Sequence, residues 1–202
     1  MKNFIVSIGR EYGCGAFEIS TKLAEKLGVP YYDKEIIKRS AKESGYDENL
    51  FAFYDEKPTR SLLYNISADG FSGITNAGIT LEDQIFQFQF DTIRKIADEG
   101  SCIIVGRCAD YILRDNPGLL TVFLHGDIEY RRKRAVEKYG ISEKNSLKEV
   151  KAMDKKRARF HDFYADERWG DARTYDLAID VSRLGIDETV ELIAHYIQTK
   201  FA

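Results

Sequence analysis

The chain has 202 residues, of which 44% are hydrophobic and 31% charged, and its formal net charge is −3. This length suits one well-packed domain, and the composition is typical of a soluble globular protein. The small negative charge argues against a protein that mainly coats nucleic acid, and no apolar run approaches the ~20 residues that span a bilayer. No signal peptide is visible, so we expect a cytoplasmic protein that binds neither nucleic acid nor membranes.

Apolar and helical segments alternate along the chain. Five short apolar runs are predicted strands: Asn3–Ile8, Pro30–Tyr32, Cys102–Val105, Leu120–Leu124 and Asp176–Val181. The predicted helices are Phe17–Leu27, Lys34–Glu43, Leu81–Glu99, Ile128–Tyr139, Leu147–Arg168 and Ile186–Ile197. Near-continuous apolar strands that alternate with helices are typical of a parallel sheet covered on both faces. The sequence therefore predicts a three-layer α/β/α fold with a mainly parallel five-stranded sheet.

The first predicted strand runs into a glycine-rich turn, and a helix follows. Three glycines let the backbone turn tightly and bring its N–H groups up to a phosphate, and the helix N-terminus favours an anion. The pattern predicts a nucleotide-phosphate site. Its residues are Gly9, Arg10, Gly13, Cys14, Gly15, Ala16 and Phe17.

This turn departs from the usual phosphate-binding pattern, GxxxxGK[ST]. Ala16 stands where a lysine is expected, and Phe17 and Glu18 stand where small or hydroxyl residues are expected. One extra residue is also needed to align the loop. A strand-to-helix turn without a ligand stays an alternative. A dinucleotide-binding turn, with Asp33 as its acidic residue, fits less well because Glu18 replaces the third glycine of that fingerprint.

Basic residues follow the third and fourth predicted strands. Arg107 comes directly after the third strand, with Asp110 one turn on. Ligands in open α/β sheets bind beyond the carboxyl ends of the strands, so Arg107 is placed to reach a substrate phosphate or base, a surface arginine being the alternative. Two basic clusters, Tyr130–Arg134 and Asp154–Arg159, follow on predicted helices. Two such helices closing over a site would form a lid suited to phosphoryl transfer, and solvated helix faces are the alternative.

Several other features support weaker expectations. Cys14, Cys102 and Cys108 form no CxxC pair, which fits reduced thiols and predicts no metal ligands. The segment from Asp47 to Ala77 contains glycine, serine and asparagine, and we expect an irregular insertion with short helices there.

Phe86, Phe88 and Phe90 are too dense for one helix face, so they indicate either a larger core or a homodimer interface. The histidines, including His161, are not predicted to be catalytic.

Together these segments resemble the cytidylate kinase-like family, whose members have the P-loop nucleoside-kinase fold. The resemblance rests on SIGREYGCGAFEISTKLAEKLGVPYYDKEII at 7–37, IIVGRCADYIL at 103–113, VFLHGDIEYRRKRA at 122–135, DKKRARFHDFYADERWGD at 154–171 and YDLAIDVSRLGID at 175–187. It implies one domain over residues 1–202, with a substrate-binding insertion at about 33–79 and a basic lid at about 128–170.

The resemblance also implies an activity and residue roles. The activity is ATP-dependent phosphoryl transfer to a nucleoside monophosphate, CMP or dCMP first, with ATP and Mg²⁺ as cofactors. The catalytic cations would be Arg131, Arg134 and Arg157. The substrate-binding residues would be Asp33, Lys34, Arg39, Arg107, Asp110, Asp154 and Arg157. Cys108 replaces the aspartate of the Gly-Arg-Asp element of true cytidylate kinases.

The missing lysine leaves the function open. Arg10 or Lys34 would supply its charge if the chain is a kinase. A catalytically weak or inactive nucleotide- or phosphate-binding sensor or scaffold is one alternative, and a kinase for another small phosphate acceptor is a second.

Overall fold

The computed structural model describes residues 3–55 and 81–202. Within these residues, five parallel strands form one sheet in the order β2-β3-β1-β4-β5. The strands are β1 (Ile5–Arg10), β2 (Tyr31–Tyr32), β3 (Cys102–Val105), β4 (Leu119–His125) and β5 (Leu177–Asp180). In the register, Ile5 lies opposite both Cys102 and Leu119. Because the strands are parallel, their carboxyl ends share one edge of the sheet, and the predicted parallel sheet is confirmed.

Helices connect and follow the strands. In chain order they are α1 (Ala16–Leu27), α2 (Glu35–Ser44), α3 (Glu48–Tyr54), α4 (Leu81–Glu99), α5 (Ala109–Ile112), α6 (Ile128–Tyr139), α7 (Glu143–Tyr164), α8 (Val181–Leu184) and α9 (Ile186–Lys200). Each helix predicted from the sequence is present. α7 begins earlier than predicted, at Glu143, because its first turn is polar and lacks the apolar period on which the prediction relied. It also ends earlier, at Tyr164 rather than Arg168, because Ala165 is extended. The part of the predicted insertion beyond Asp55, residues 56–80, lies outside the described residues.

Apolar side chains bury both faces of the sheet. On one face, Val6 and Ile8 of β1 pack with α1 and α9 in a single cluster. On the other face, Ile5 and Ile104 pack with α2, α4 and α5. A fully buried isoleucine contributes roughly 1.5–3 kcal/mol relative to an exposed one. These two cores explain the three-layer architecture.

The aromatic residues of α4 divide between two clusters. Phe86 and Phe90 pack against the sheet-facing cluster, and Phe88 packs against a third cluster that contains Phe51 and Ile85. The alternative of a larger core is therefore supported, and the homodimer stays a prediction.

Two further expectations can be compared with the described residues. The three cysteines are buried and unbridged, and burial raises the pKa of Cys14 to about 11 and that of Cys102 to about 12. Among the described helices, none is both long enough and apolar enough to cross a membrane.

Candidate active site

The glycine loop joins β1 to α1 at the carboxyl edge of the sheet. Gly13 and Gly15 have φ angles of +85° and +92°, a region that only glycine enters readily. A Cβ on Gly13 would lie 2.5 Å from the backbone oxygen of Arg131, and a Cβ on Gly15 would collide with Ile186. Both glycines are therefore required by backbone conformation and by close packing against α6 and α9.

Helix α6 is fastened to this loop through Arg131, which is only 6% exposed. Its Nη1 lies 2.6 Å from Asp154 Oδ2 and donates to the Tyr12 carbonyl at 3.4 Å, and its Nε donates to the Gly126 carbonyl at 2.9 Å. The same Nε lies 3.2 Å from Glu11 Oε2. Because its donors are engaged in these contacts, Arg131 orders the loop, a role that the sequence did not reveal.

Asp154 of α7 completes the attachment of the loop. Its Oδ1 accepts the backbone N–H of Tyr12 at 2.7 Å, while its Oδ2 holds Arg131. Glu11 is oriented inward, where its Oε2 accepts the Gly126 N–H at 3.1 Å. Burial raises the pKa of Glu11, although that hydrogen bond and the Arg131 charge oppose the rise. These contacts join the loop to both basic helices.

Arg134 lies beside the start of α1, one turn along α6 from Arg131. Its Nη2 is 3.2 Å from the position that a Gly15 Cβ would occupy, and it lies 2.9 Å from Glu18 Oε2. Lys138 Nζ lies 3.6 Å from the other oxygen of Glu18. The side chain of Arg134 is 14% exposed. A guanidinium is thus held against the first turn of the helix, next to the position where the usual lysine is replaced by Ala16.

Arg107 is the centre of a buried ion cluster. Its Nη1 donates to Asp33 Oδ1 at 3.1 Å, its Nη2 donates to Asp55 Oδ2 at 3.1 Å, and its Nε lies 3.0 Å from Asp55 Oδ1. The side chain is 1% exposed. Arg107 and Cys108 have φ angles of +55° and +56°, a strained conformation for residues other than glycine and one that recurs at functional sites. Arg107 is therefore fixed by two carboxylates beyond the end of β3.

Arg39 and Lys34 lie on or next to α2. Arg39 forms ion pairs with Glu43 and Glu99, and these contacts raise its pKa. Lys34 precedes α2 and is exposed. The contacts of Arg39 therefore attach α2 to the end of α4, and neither Arg39 nor Lys34 lines the cleft described next.

A narrow cleft lies between the carboxyl ends of β1 and β3 and helix α7. Its lining residues are Ser7, Gly9, Arg10, Gly106, Arg107, Cys108, Asp110, Arg157, Phe160, His161, Trp169 and Tyr175. The cavity volume is about 20 Å³, which is room for about one water molecule. Arg157 donates to the Arg10 carbonyl at 3.2 Å and its guanidinium carbon lies 5.7 Å from the Tyr12 ring centroid.

The cleft combines predicted residues with others that sequence reasoning missed. Of the predicted set, it brings together Gly9, Arg10, Arg107, Asp110 and Arg157. The predicted set lacked three small residues of the strand ends, Ser7, Gly106 and Cys108, and four residues with rings, Phe160, His161, Trp169 and Tyr175. The helical and loop segments of the latter four carry no motif for a ligand, so the fold alone reveals them.

Comparison with known proteins identifies the family. The model of the cytidylate kinase-like family matches residues 5–183. This chain belongs to the cytidylate kinase-like family. It is 25% identical over 199 residues to a cytidylate kinase of Methanopyrus kandleri, covering 94% of this chain and 90% of that protein. It is 26% identical over 197 residues to a cytidylate kinase of Methanocaldococcus jannaschii, covering 94% and 95%.

Two solved structures share the fold of this chain. An uncharacterized protein from Eubacterium ventriosum has a TM-score of 0.73 and 34% identity, covering 96% of this chain and 98% of that one. A shikimate kinase from Bacteroides thetaiotaomicron has a TM-score of 0.55 and 15% identity, with the same coverage of both chains. The second likeness concerns the fold, which is that of P-loop kinases.

Within this family pattern, positions 16 and 17 of the glycine loop differ in environment. Ala16 is buried, at 7% exposure, whereas Phe17 is 59% exposed and makes an edge contact with Tyr31 at 6.2 Å between ring centroids. Phe17 offers no oxygen to a metal, and no cluster of three metal-ligating side chains occurs within residues 3–55 and 81–202. Within these residues the side chains alone therefore do not make up a complete Mg²⁺ site, and a substrate would have to supply further ligands.

Proposed function

We propose that this protein transfers a phosphoryl group from ATP to a nucleoside monophosphate, with CMP or dCMP the first acceptors to test. The observation that carries the proposal is the glycine loop at the end of β1, enclosed by cationic side chains from α6, α7 and the segment after β3. Membership of the cytidylate kinase-like family supports the same reaction class. One domain, with an acceptor insertion at about 33–79 and a lid at about 128–170, is part of this proposal.

In the proposed reaction, the protein acts by positioning and charge neutralisation. The loop and the start of α1 would bind the ATP phosphates, since the first N–H groups of a helix have no partner within the helix. The monophosphate would bind beside Arg10, Arg107 and Arg157 after the cleft, which now has room for about one water molecule, has opened. Cations on both sides of the transferred group stabilise the charge that its oxygens carry in the transition state. Mg²⁺ would reach this site with the ATP phosphates, since Mg²⁺ sites in such enzymes are completed by the substrate.

Arg134 is our candidate for the charge that the loop lysine usually supplies. A cation beside the positive end of a helix is unfavourable unless an anion lies close to both. Glu18 provides part of that compensation, and a phosphate held by the loop would provide more. This geometry favours Arg134 over Arg10 and Lys34, the two sources that the sequence suggested.

Replacing Arg134 with alanine is expected to reduce kcat/KM for ATP by about 100-fold, the effect of removing one preorganised donor from a charged transition state. Lys138→Ala is the matched control, because Lys138 contacts the same carboxylate, Glu18, from the same helix. We expect Lys138→Ala to change kcat/KM less than about threefold, as for an exposed ion pair. Equal losses in the two variants would assign the effect to Glu18 and would contradict the proposed role of Arg134.

A second candidate function is a kinase for another small phosphate acceptor. The ion cluster of Arg107 favours it, because Arg107 lines the cleft and is already paired with Asp33 and Asp55. A phosphate that binds Arg107 would have to compete with those two carboxylates. A hydroxyl acceptor without a phosphate would instead leave the cluster in place.

The acceptor is tested by measuring ADP formation from ATP with each nucleoside monophosphate and with polyhydroxyl acids and sugars as a second panel. Turnover with a monophosphate supports the first proposal, and turnover restricted to the second panel supports the alternative. An Ala16→Lys variant is assayed in parallel. If wild type binds nucleotides without turnover on either panel while Ala16→Lys turns over, the chain is a nucleotide-binding sensor or scaffold.

A further inference from the structure

One face of α7 carries three polar side chains that each reach a different part of the site. Asp154, Arg157 and His161 are spaced three and four residues apart, which places them on the same side of a helix. Asp154 holds the Tyr12 N–H, and Arg157 holds the Arg10 carbonyl. His161 extends this series by one turn and has no role in the function proposed above.

His161 connects α7 to the segment after β3. It is 6% exposed, and its Nε2 lies 3.0 Å from Asp110 Oδ2. Asp110 lies on α5, three residues after Arg107. On the other side of the ring, Nδ1 lies 3.7 Å from Asp162 Oδ1, and Asp162 accepts the backbone N–H of Trp169 at 2.7 Å. His161 thus lies between the helix that carries Arg157 and the element that follows Arg107.

The charges around His161 determine its protonation. The charged or titratable groups that surround it come from β1, from the segment after β3, from α5, from α7 and from the loop before β5. They are Arg10, Arg107, Cys108, Asp110, Arg157, Asp162 and Tyr175. Burial lowers the pKa of His161, but the hydrogen bond and charge of Asp110, with Asp162, outweigh it, so the pKa is raised above 6.5. The stabilising pair is therefore complete below pH 6.5 and is lost as pH rises through the raised pKa.

We propose that His161 is a positioning residue, which pairs as an imidazolium with Asp110 and so holds Arg157 against the glycine loop. Its effect on catalysis rests on the function proposed above, whereas its effect on the cleft does not. Deprotonation of His161 removes the ion pair and loosens α7 from α5. The environment of Trp169 in the cleft then changes, and Arg157 loses its fixed position.

The fluorescence of Trp169 provides a test that requires no turnover. The chain has a single tryptophan, and it lines the same cleft as His161. We expect the emission of wild type to change in one transition above pH 6.5. His161→Gln is expected to lack this transition, and Asp110→Asn to shift it to lower pH. His195→Gln, at an exposed histidine on α9, is the control that should retain it.

A proton NMR titration of the histidine ring resonances assigns the transition, with His161→Gln identifying its signal. In the kinetic experiment, kcat/KM of the wild type should fall as pH rises through the pKa of His161. In His161→Gln, kcat/KM should be about tenfold lower, the usual effect of losing a charged hydrogen bond, and should not show this fall at alkaline pH. His161→Lys, which keeps a positive charge, should recover activity at high pH. If the Trp169 transition is unchanged in both His161 variants, the positioning role of His161 is overturned. If the wild type shows the transition but no turnover, only the proposed function is overturned.

Discussion

Replacing Gly13 with alanine is expected to weaken ATP binding by about 100-fold, the scale of losing a hydrogen bond to a charged group such as a phosphate. The reason is steric as well as conformational. Gly13 has a φ of +85°, and its Cβ would lie 2.5 Å from the backbone oxygen and 3.1 Å from the carbonyl carbon of Arg131. Backbone atoms of a packed helix cannot move aside as a flexible side chain does. The loop must therefore shift away from α6, which breaks the contacts of Arg131 and Asp154 with Tyr12. Isothermal titration calorimetry with ATP measures this loss.

Gly28→Ala is the matched control for the strain of positive φ. Gly28 has a φ of +66° at the end of α1, and no heavy atom lies within 4 Å of the position of its Cβ. Both variants share the roughly 1–2 kcal/mol cost of a left-handed conformation in a residue with a side chain. Only Gly13→Ala adds the collision with α6. Equal ATP affinities in the two variants would show that the packing of the loop against α6 does not determine binding.

Replacing Arg107 with alanine is expected to lower the free energy of unfolding by about 2–3 kcal/mol, the scale of losing hydrogen bonds between charged groups. The Arg107 side chain is 1% exposed, while its partners Asp33 and Asp55 are 29% and 23% exposed. Its removal leaves two partly buried carboxylates without a cation. For a chain of this length, such a change lowers Tm by roughly 4–12 °C. Urea unfolding at constant m-value measures the loss.

Arg39 provides the comparison, because it also lies between two carboxylates. Its side chain is 30% exposed, so water screens its pairs with Glu43 and Glu99. Arg39→Ala should therefore cost only what exposed ion pairs usually contribute. Combining Arg107→Ala with Asp33→Asn and Asp55→Asn should recover part of the lost stability. Equal small losses at Arg107 and Arg39 would contradict the buried-cluster account.

The presence of the five strands and their parallel direction were predictable from local signals, whereas their spatial order in the sheet was not predicted. Short apolar runs bounded by glycine identify β1, β3 and β4, and the glycines of the loop identify the strand-to-helix turn. α3, α5 and α8 were not individually predicted, since a helix of four to seven residues is too short to establish a period.

The partners of the charged residues were not predictable, because they depend on contacts between distant segments. Tyr12 and Asp154 are separated by 142 positions, and Arg107 and Asp33 by 74. The family resemblance implies that Arg39 and Arg107 both bind substrate, yet Arg107 is buried and lines the cleft, whereas Arg39 is 30% exposed and lies outside it. The tertiary structure also places His161 in the cleft, although its isolated position in the sequence indicates no function.

In the reaction we propose, a phosphate loop without its lysine still supports phosphoryl transfer, using cations from outside the loop. This is tested most directly by incubating CMP and ATP with wild type, Arg134→Ala and Lys138→Ala and detecting CDP and ADP by chromatography. Nucleotide binding is measured by thermal shift in the same samples. We predict acceptor-dependent ADP and CDP in wild type and in Lys138→Ala, and about 100-fold less in Arg134→Ala. Nucleotide binding by wild type without any acceptor-dependent ADP, across all the nucleoside monophosphates, would contradict the claim.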